Sequence, residues 1–426
     1  MSANGQWPPM KIGDLIRESR TKGSNGSSAK KLTIRLYGRG IVASSDRGGS
    51  DATNYFIRRA GQFAYSKLDC LNGAFGIIPP HLDGYQTTLD LPAFDFLGVV
   101  DPDWFLKTVA RPSFYGRFKF AAIGSRKANR VPTDEFLATR LSIPPLAEQR
   151  AIAGVLGAVE EVIASTETLI KAIADAKHAT MRELLTRGIR RSNVPMKALP
   201  HRWVLGRIAE GLTHLPNDWE LVTLTKVAKL ESGHTPDRKE PTYWDGSIPW
   251  ISLQDANALC KLTISETAET IGPEGLANSS ARLLPAGTVV LQRTANVGLA
   301  SIMEREMCTS QHFANWICGP KLHPQYLQQV FRHMSREWQR LMAGSVLPDI
   351  YMDTFKALQL LLPPLQEQKR IGEVGAAFDR RIELERDALE ALIENRVALA
   401  QELLSGRLRL AESIIARHSD KPGKAA

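Results

Sequence analysis

The sequence predicts an α+β fold made by internal duplication: two globular α+β regions separated by two long antiparallel coiled-coil helices. Three observations lead there. First, Pro144-Pro145-Leu146-Ala147-Glu148-Gln149 returns as Pro363-Pro364-Leu365-Gln366-Glu367-Gln368, an offset of 219. Second, the match stays in register, with Ile152 on Ile371, Val155 on Val374, Ala158 on Ala377 and Ile163 on Ile382. It still holds at Glu183-Leu184-Leu185-Thr186 on Glu402-Leu403-Leu404-Ser405, so a whole segment is repeated. Third, short strands broken by glycine and proline precede each copy, with helices late in the region, which is an α+β pattern.

Residues 1–145 form the first globular region. It opens on Trp7 and the apolar segment around Met10, Ile12 and Leu15, and the second region opens likewise on Trp219, Leu221, Val222, Leu224 and Val227. Leu32–Leu36, the turn and strand Ala60–Tyr65, and Gly73–Ile78 read as strands. Residues 146–187 read as the first long helix. A proline fits its first turn, where the missing N–H costs nothing, and Glu148 lies at the positive end of the helix dipole. Apolar residues at Ile152, Val155, Leu156, Val159, Val162, Ile163, Leu169, Ile170, Ile173, Met181, Leu184 and Leu185 follow steps of three and four, a single helical stripe. Residues 188–218 read as a partly ordered basic connector with Arg190, Arg191, Lys197, Arg202 and Arg207.

The second globular region is 219–362. Pro285–Leu291 and Val297–Ile302 predict two strands, and 324–342 predicts helix. Residues 363–410 read as the second long helix, with a stripe at Ile371, Val374, Phe378, Ile382, Leu389, Leu392, Leu399 and Leu403. Residues 411–426 read as a polar tail. A rod with one apolar stripe needs a partner, and the other copy is the natural one.

The chain has 426 residues, 43% hydrophobic and 23% charged, the balance of a globular protein with a real core. Its four cysteines include no C-x-x-C pair, which excludes the common zinc patterns and suits a reducing compartment. The N-terminus lacks the apolar core of a signal peptide, and no run reaches membrane-spanning length, so a cytoplasmic, nucleoid-associated protein without a membrane partner is expected. The net charge is +9, which favours a polyanionic partner. That charge is uneven. Residues 1–145 hold 20 Lys/Arg against 12 Asp/Glu, whereas 219–362 hold 13 against 14. The first region should therefore supply more of any salt-dependent attraction.

No enzyme constellation holds. The sequence contains no strand-following G-x-G-x-x-G, P-loop, H-E-x-x-H or nucleophile elbow. Ile78-Pro79-Pro80-His81 lacks the polar first residue and aromatic last residue of the adenine-methyltransferase tetrapeptide. Neither catalytic nor metal-binding residues are assigned. The second region carries Gly233-His234-Thr235-Pro236, then Tyr243-Trp244-Asp245-Gly246-Ser247-Ile248-Pro249-Trp250-Ile251, then Ser310-Gln311-His312-Phe313. Asp245-Gly246 signals a hairpin turn. Tyr243 and Trp244 read either as core aromatics or, with His234, Arg238, Lys239, Arg293 and Gln311, as the lining of a DNA groove. Arg and Gln suit the latter because their paired hydrogen-bonding groups match guanine and adenine edges. In the first region Arg117, Lys119, Arg126, Lys127 and Arg130 are the candidate phosphate contacts; the alternative is a solvated loop.

The doubled P-P-L-x-E-Q start of a long helix, the G-x-T-P…Y-W-x-G-x-I-P-W block and the S-Q-x-F segment together resemble the specificity subunit of type I restriction–modification systems. The resemblance covers nearly the whole chain in two halves, although the first region lacks the G-x-T-P and Y-W-x-G blocks. It implies two target recognition domains, each reading half of a split site in double-stranded DNA, with the helices as spacer. It also implies two modification subunits, which carry S-adenosylmethionine and methylate adenine, and restriction subunits that translocate and cleave. No cofactor is then expected on this chain. A cofactor-bearing methyltransferase and a coiled-coil tether without DNA are the rival readings; binding of S-adenosylmethionine alone and a DNA shift assay would discriminate them.

Overall fold

The computed structural model describes residues 7–45, 50–120, 130–189, 195–200, 203–342 and 348–419. The chain forms two compact units: Met1–Ala164 with Ala391–Ala426, and Ser165–Glu390.

In the first unit, strand Pro9–Lys11 pairs antiparallel with Arg140–Ser142, placing Met10 opposite Leu141. A single turn, Ile12–Asp14, then leads to strand Ile16–Ser19. This strand edges a four-stranded antiparallel sheet in the order Ile16–Ser19, Ala93–Phe96, Phe63–Tyr65, Phe75–Ile77. Alternation puts Phe63, Tyr65 and Phe94 where they meet helix Pro102–Val109 and the short helix Thr133–Ala138. Phe63 meets Phe105 edge-on at 5.0 Å and Tyr65 stacks on Phe136 at 4.7 Å. A three-stranded sheet (Lys22–Asn25, Asn54–Ile57, Gln86–Thr87) and the pair Leu32–Ile34 with Ile41–Ala43 complete the region. Buried Arg58 joins the two larger sheets, donating to Thr87 Oγ1 at 2.6 Å, Ser19 O at 2.7 Å and Leu91 O at 3.2 Å.

The second unit repeats this plan. Glu220–Thr223 pairs antiparallel with Gln359–Leu362, with Val222 opposite Leu360. The turn Leu224–Lys226 leads to Ala228–Ser232, the edge of a five-stranded sheet. Its first four strands, Ala228–Ser232, Phe313–Cys318, Val289–Gln292 and Ala300–Met303, follow the order of the first unit, and Thr263–Ile264 adds a parallel edge. The registers agree as well. Ala93 lies opposite Ser19 and Ala64, and Asn315 opposite Glu231 and Val290. A separate three-stranded sheet holds Glu269–Ile271, Ile248–Ile251 and Cys308–Thr309. The segment expected to be helical over 324–342 holds two helices, Pro324–His333 and Ser335–Met342, and Trp316, Trp338 and Phe331 are buried beside the main sheet.

The long helices run Leu146–Arg187 and Leu365–Ser405. The repeated hexapeptide explains itself in the contacts at their starts. Glu148 accepts a hydrogen bond from the Trp7 indole at 3.3 Å, and Glu367 accepts one from the Trp219 indole at 3.0 Å. Each glutamine works in two directions. Gln149 Nε2 donates to Pro144 O and Gln368 Nε2 to Pro363 O, both at 2.8 Å. Gln149 Oε1 accepts from Asp101 N at 2.7 Å and Gln368 Oε1 from His323 N at 2.8 Å, the residues just before helices Pro102–Val109 and Pro324–His333. The glutamate thus fixes the opening tryptophan of each region, and the glutamine fixes its packing helix.

The helix ends close the same knots. Gly188 and Gly406 are left-handed, with φ of +79° and +76°, which glycine tolerates at a helix terminus. A Cβ at Gly188 would lie 3.1 Å from the Trp219 ring, and one at Gly406 would lie 3.2 Å from the Trp7 ring. Ile189 N donates to Glu367 at 3.1 Å, while Arg409 grips Glu148 with Nε at 2.6 Å and an Nη at 2.8 Å. In each unit, therefore, the end of one long helix meets the start of the other, and the two segments run antiparallel. Residues Phe378, Ile382, Glu385, Leu389, Leu392, Arg396, Leu399 and Leu403 are among the covered ones along the second helix. Their alternating steps of four and three are a heptad seam. Val162 and Leu169 of the first stripe lie off the seam and are exposed.

Between the helices sits a duplicated charge cluster. In the second unit Asp379 pairs with Lys177 at 2.5 Å and Arg332 at 3.0 Å, and accepts from Gln329 at 2.9 Å. At the same 219 offset in the first unit, Glu160 pairs with Arg396 at 3.8 Å, and with Lys107 at 2.5 Å. Burial alone would raise the Asp379 carboxyl, but Arg332 and Lys177 outweigh it and hold it below the usual range.

The basic connector 188–218 contains paired strands Met196–Ala198 and His214–Pro216 and a buried Trp203, because Trp203 and Leu215 supply apolar surface that the second core absorbs. Two sequence expectations change. Part of the expected polar tail is helix Glu412–Ser419, with His418 lying over Gly154, where no side chain intervenes. Asp245-Gly246 makes no hairpin: Ile248–Ile251 pairs with the distant Glu269–Ile271 and Cys308–Thr309, and Gly246 is instead needed where the chain crosses Gly272.

Candidate nucleic-acid interface

The loop Gly233–Pro236 leaves strand Ala228–Ser232 and folds against Thr309-Ser310-Gln311. A Cβ at Gly233 would fall 2.1 Å from Ser310 O, so only glycine permits the approach. His234 N donates to Thr309 O at 2.9 Å, and His234 O accepts from the Trp250 indole at 3.0 Å. Thr235 Oγ1 donates to Gln311 Oε1 at 2.5 Å. Arg293, at the end of the adjoining strand, reaches the same ridge: Nε donates to Gln311 O at 3.0 Å, and one Nη reaches Asp349 and Ile350 O, each at 2.8 Å. His234, Arg293 and Gln311 are thus brought together at one end of the main sheet.

Arg238, Tyr243 and Trp244 lie beside the three-stranded sheet, and most of their chemistry is spent internally. Arg238 makes two hydrogen bonds to Glu269, at 2.5 and 2.9 Å. Its guanidinium carbon sits 3.8 Å from the Trp244 ring centre and 5.0 Å from that of Trp250. Those bonds raise Arg238 above its ordinary value and hold the Glu269 carboxyl below the carboxylate range. Trp244 meets Trp250 edge-on at 5.0 Å and donates to Asp237 O at 3.1 Å. Tyr243 is half-buried, its carbonyl accepting from Gly272 N at 2.8 Å. Lys239 is exposed on the turn that follows.

In the first unit Arg117 and Lys119 are exposed on the turn Gly116–Lys119, next to Phe120, which is 96% exposed. Arg130 is exposed and paired with Asp90 at 3.2 Å. Arg126 and Lys127 lie outside the described residues. Two cations, buried Arg58 and half-buried Arg111, escaped the sequence reading. Burial pushes both Arg58 and Arg111 down to about 10. Arg111 lines a cleft of about 1580 Å³ together with Asp101, Lys107, Glu160 and Arg396. Among the described residues no three His, Cys, Asp or Glu side chains are grouped to hold a metal ion, and no helix is long and apolar enough to cross a membrane. One structural repeat also escaped notice: Asp134-x-Phe136 and Asp353-x-Phe355 share the 219 offset, and both phenylalanines are buried.

The type I restriction modification DNA specificity domain matches residues 216–395. The match spans the second globular region and most of the long helix that follows it. The chain is 28% identical over 193 residues to the type I restriction enzyme MjaIX specificity subunit of Methanocaldococcus jannaschii, covering 45% of each chain. It is 24% identical over 282 residues to the MjaVIII specificity subunit of the same organism, covering 64% of this chain and 62% of that one. The matched stretch is thus about half the length of the first relative and under two thirds of the second. Two solved structures share the fold. A chain from a structure on complex assembly and conformational transition of the type I R-M system aligns with a TM-score of 0.58 at 15% identity, covering 96% of this chain and all of that one. The type I restriction–modification S subunit of M. genitalium aligns with a TM-score of 0.54 at 13% identity, covering 95% and 97%.

Proposed function

We propose that this protein is a specificity subunit, the non-catalytic DNA reader of a type I restriction–modification complex, recognising a bipartite site in double-stranded DNA with one half-site per globular region. Two modification subunits dock on it and carry S-adenosylmethionine and the adenine methylation. Restriction subunits that translocate and cleave join them, in the cytoplasm on the nucleoid. The single observation that supports the reading most is the duplicated frame. Two sheets of the same strand order and register each hang from a tryptophan–glutamate and glutamine clamp at the start of a long helix. What differs between the sheets is the charged surface at their ends, where a change of reading would have to occur. Mapping methylated adenines in cells that express this chain with its modification subunits tests the reading. A split motif with two fixed halves is expected, and a contiguous motif or no motif overturns it.

A further inference from the structure

Arg293 has a counterpart that its surroundings leave in a different chemical state. Arg293 follows strand Val289–Gln292; its N–H donates to His312 O at 3.0 Å and its carbonyl accepts from Ile350 N at 3.0 Å. In the first unit Lys67 lies just beyond strand Phe63–Tyr65; its N–H donates to Asp90 O at 2.8 Å and its carbonyl accepts from Val131 N at 2.9 Å. The same two backbone bonds put Lys67 and Arg293 at the same place in their sheets. The side chains around them are permuted. Arg293 is held by Asp349, which stands where the first unit has Arg130. In the first unit the carboxylate is Asp90, and it pairs with Arg130. One carboxylate therefore answers one cation in each unit, and the first unit has a cation over. Among the described residues the Lys67 ammonium has no ion pair or side-chain hydrogen bond.

We propose that Lys67 is a phosphate-anchoring residue of the first recognition region, acting with Arg117 and Lys119; this rests on the DNA-reading function proposed above. The turn Cys70–Asn72, just after Lys67, packs against the turn Gly116–Lys119. Three cations thus share one end of the sheet, and Arg117 and Lys119 are exposed. A lysine ammonium on a flexible stem serves as a point charge for phosphate, whereas reading a base edge favours a planar fork. The surplus also agrees in sign with the uneven charge of the chain, 20 basic against 12 acidic residues in 1–145 and 13 against 14 in 219–362.

The test is the affinity of the full chain, measured across salt concentrations, for a duplex carrying the methylation-mapped site and for a scrambled duplex. Lys67→Gln should weaken both, and the slope of log K against log salt should fall by about one unit. Lys67→Arg should keep the wild-type slope, which guards against a folding defect in the first variant. A wild-type slope in Lys67→Gln overturns the proposal, as does a loss confined to the cognate duplex, which would make Lys67 a base contact. Equal binding of both duplexes by the wild-type chain would instead overturn the DNA-reading function on which the proposal stands.

Discussion

His333 shows how much one side chain can reveal about the helix pair. It stacks on His178 of the first long helix, ring centres 4.7 Å apart. Burial, then the nearby His178, Lys177 and Arg182, push its imidazole down from 6.5 to about 4. The folded state therefore binds fewer protons than the unfolded state between those two values, and stability falls as the pH drops through that window. Acidifying from pH 7 to 5 should lower the urea midpoint of the full chain, and His333→Gln should flatten that dependence. An unchanged pH profile in the variant would place the acid sensitivity elsewhere. Glu367 offers a second test at this scale. It satisfies both the Trp219 indole and Ile189 N–H, so Glu367→Ala strands the buried indole and loses a part-buried second bond, and should cost about 1–3 kcal/mol. Glu367→Gln keeps an acceptor and should cost less. Hydrogen exchange at Ile189 and the urea midpoint report the two effects separately.

At the scale of elements, the equivalent charge clusters should differ in weight because their burial differs. Asp379 and Lys177 side chains are 15% and 16% exposed, whereas Glu160 is 43% exposed. Removing Asp379 leaves two cations buried without an answer, a loss of roughly 3–5 kcal/mol. Glu160→Ala should cost about 1 kcal/mol or less, as solvated pairs do. Replacing Asp379 and Lys177 together by Leu should recover much of the first loss, and a double-mutant cycle on urea unfolding measures the coupling. The elements themselves were unevenly legible in the sequence. The first long helix begins and ends where the stripe and the Pro-Pro start place it, because helical periodicity is local. The order of the strands was not legible. Their partners lie far apart, and the offset between equivalent strands shifts from 212 at Met10 and Val222 to 226 at Gly61 and Gly287 as insertions accumulate. The hairpin expected at Asp245-Gly246 failed for the same reason: a tight-turn dipeptide says nothing about which strand arrives to pair. Charge was legible only as a count. Arg238 and Arg293 look free in sequence, yet their carboxylates come from Glu269 and Asp349, 31 and 56 residues away.

For the whole molecule, the repeated frame and the surface proposed to read DNA are different parts of one design. The tryptophans, the glutamate–glutamine pairs, the paired strands and the glycine helix ends recur in both halves. By contrast, the first sheet ends on Lys67, Asp90 and Arg130, and the second on Arg293, His312 and Asp349. Exchanging the second surface while keeping both frames should therefore exchange one half of the specificity. Residues 219–362 would be replaced by the matching segment of a relative with a different second half-site. Trp219 and the strand Gln359–Leu362 bound that segment, so the donor must bring a tryptophan for Glu367 and a strand able to pair with its own first strand. The hybrid should still assemble with modification subunits. It should methylate a site with the original first half and the donor's second half, since recognition surfaces with no shared base contacts add nearly independent free energies. Methylation mapping of the assembled hybrid gives the answer, and a site altered in both halves would mean that the two regions read as one surface.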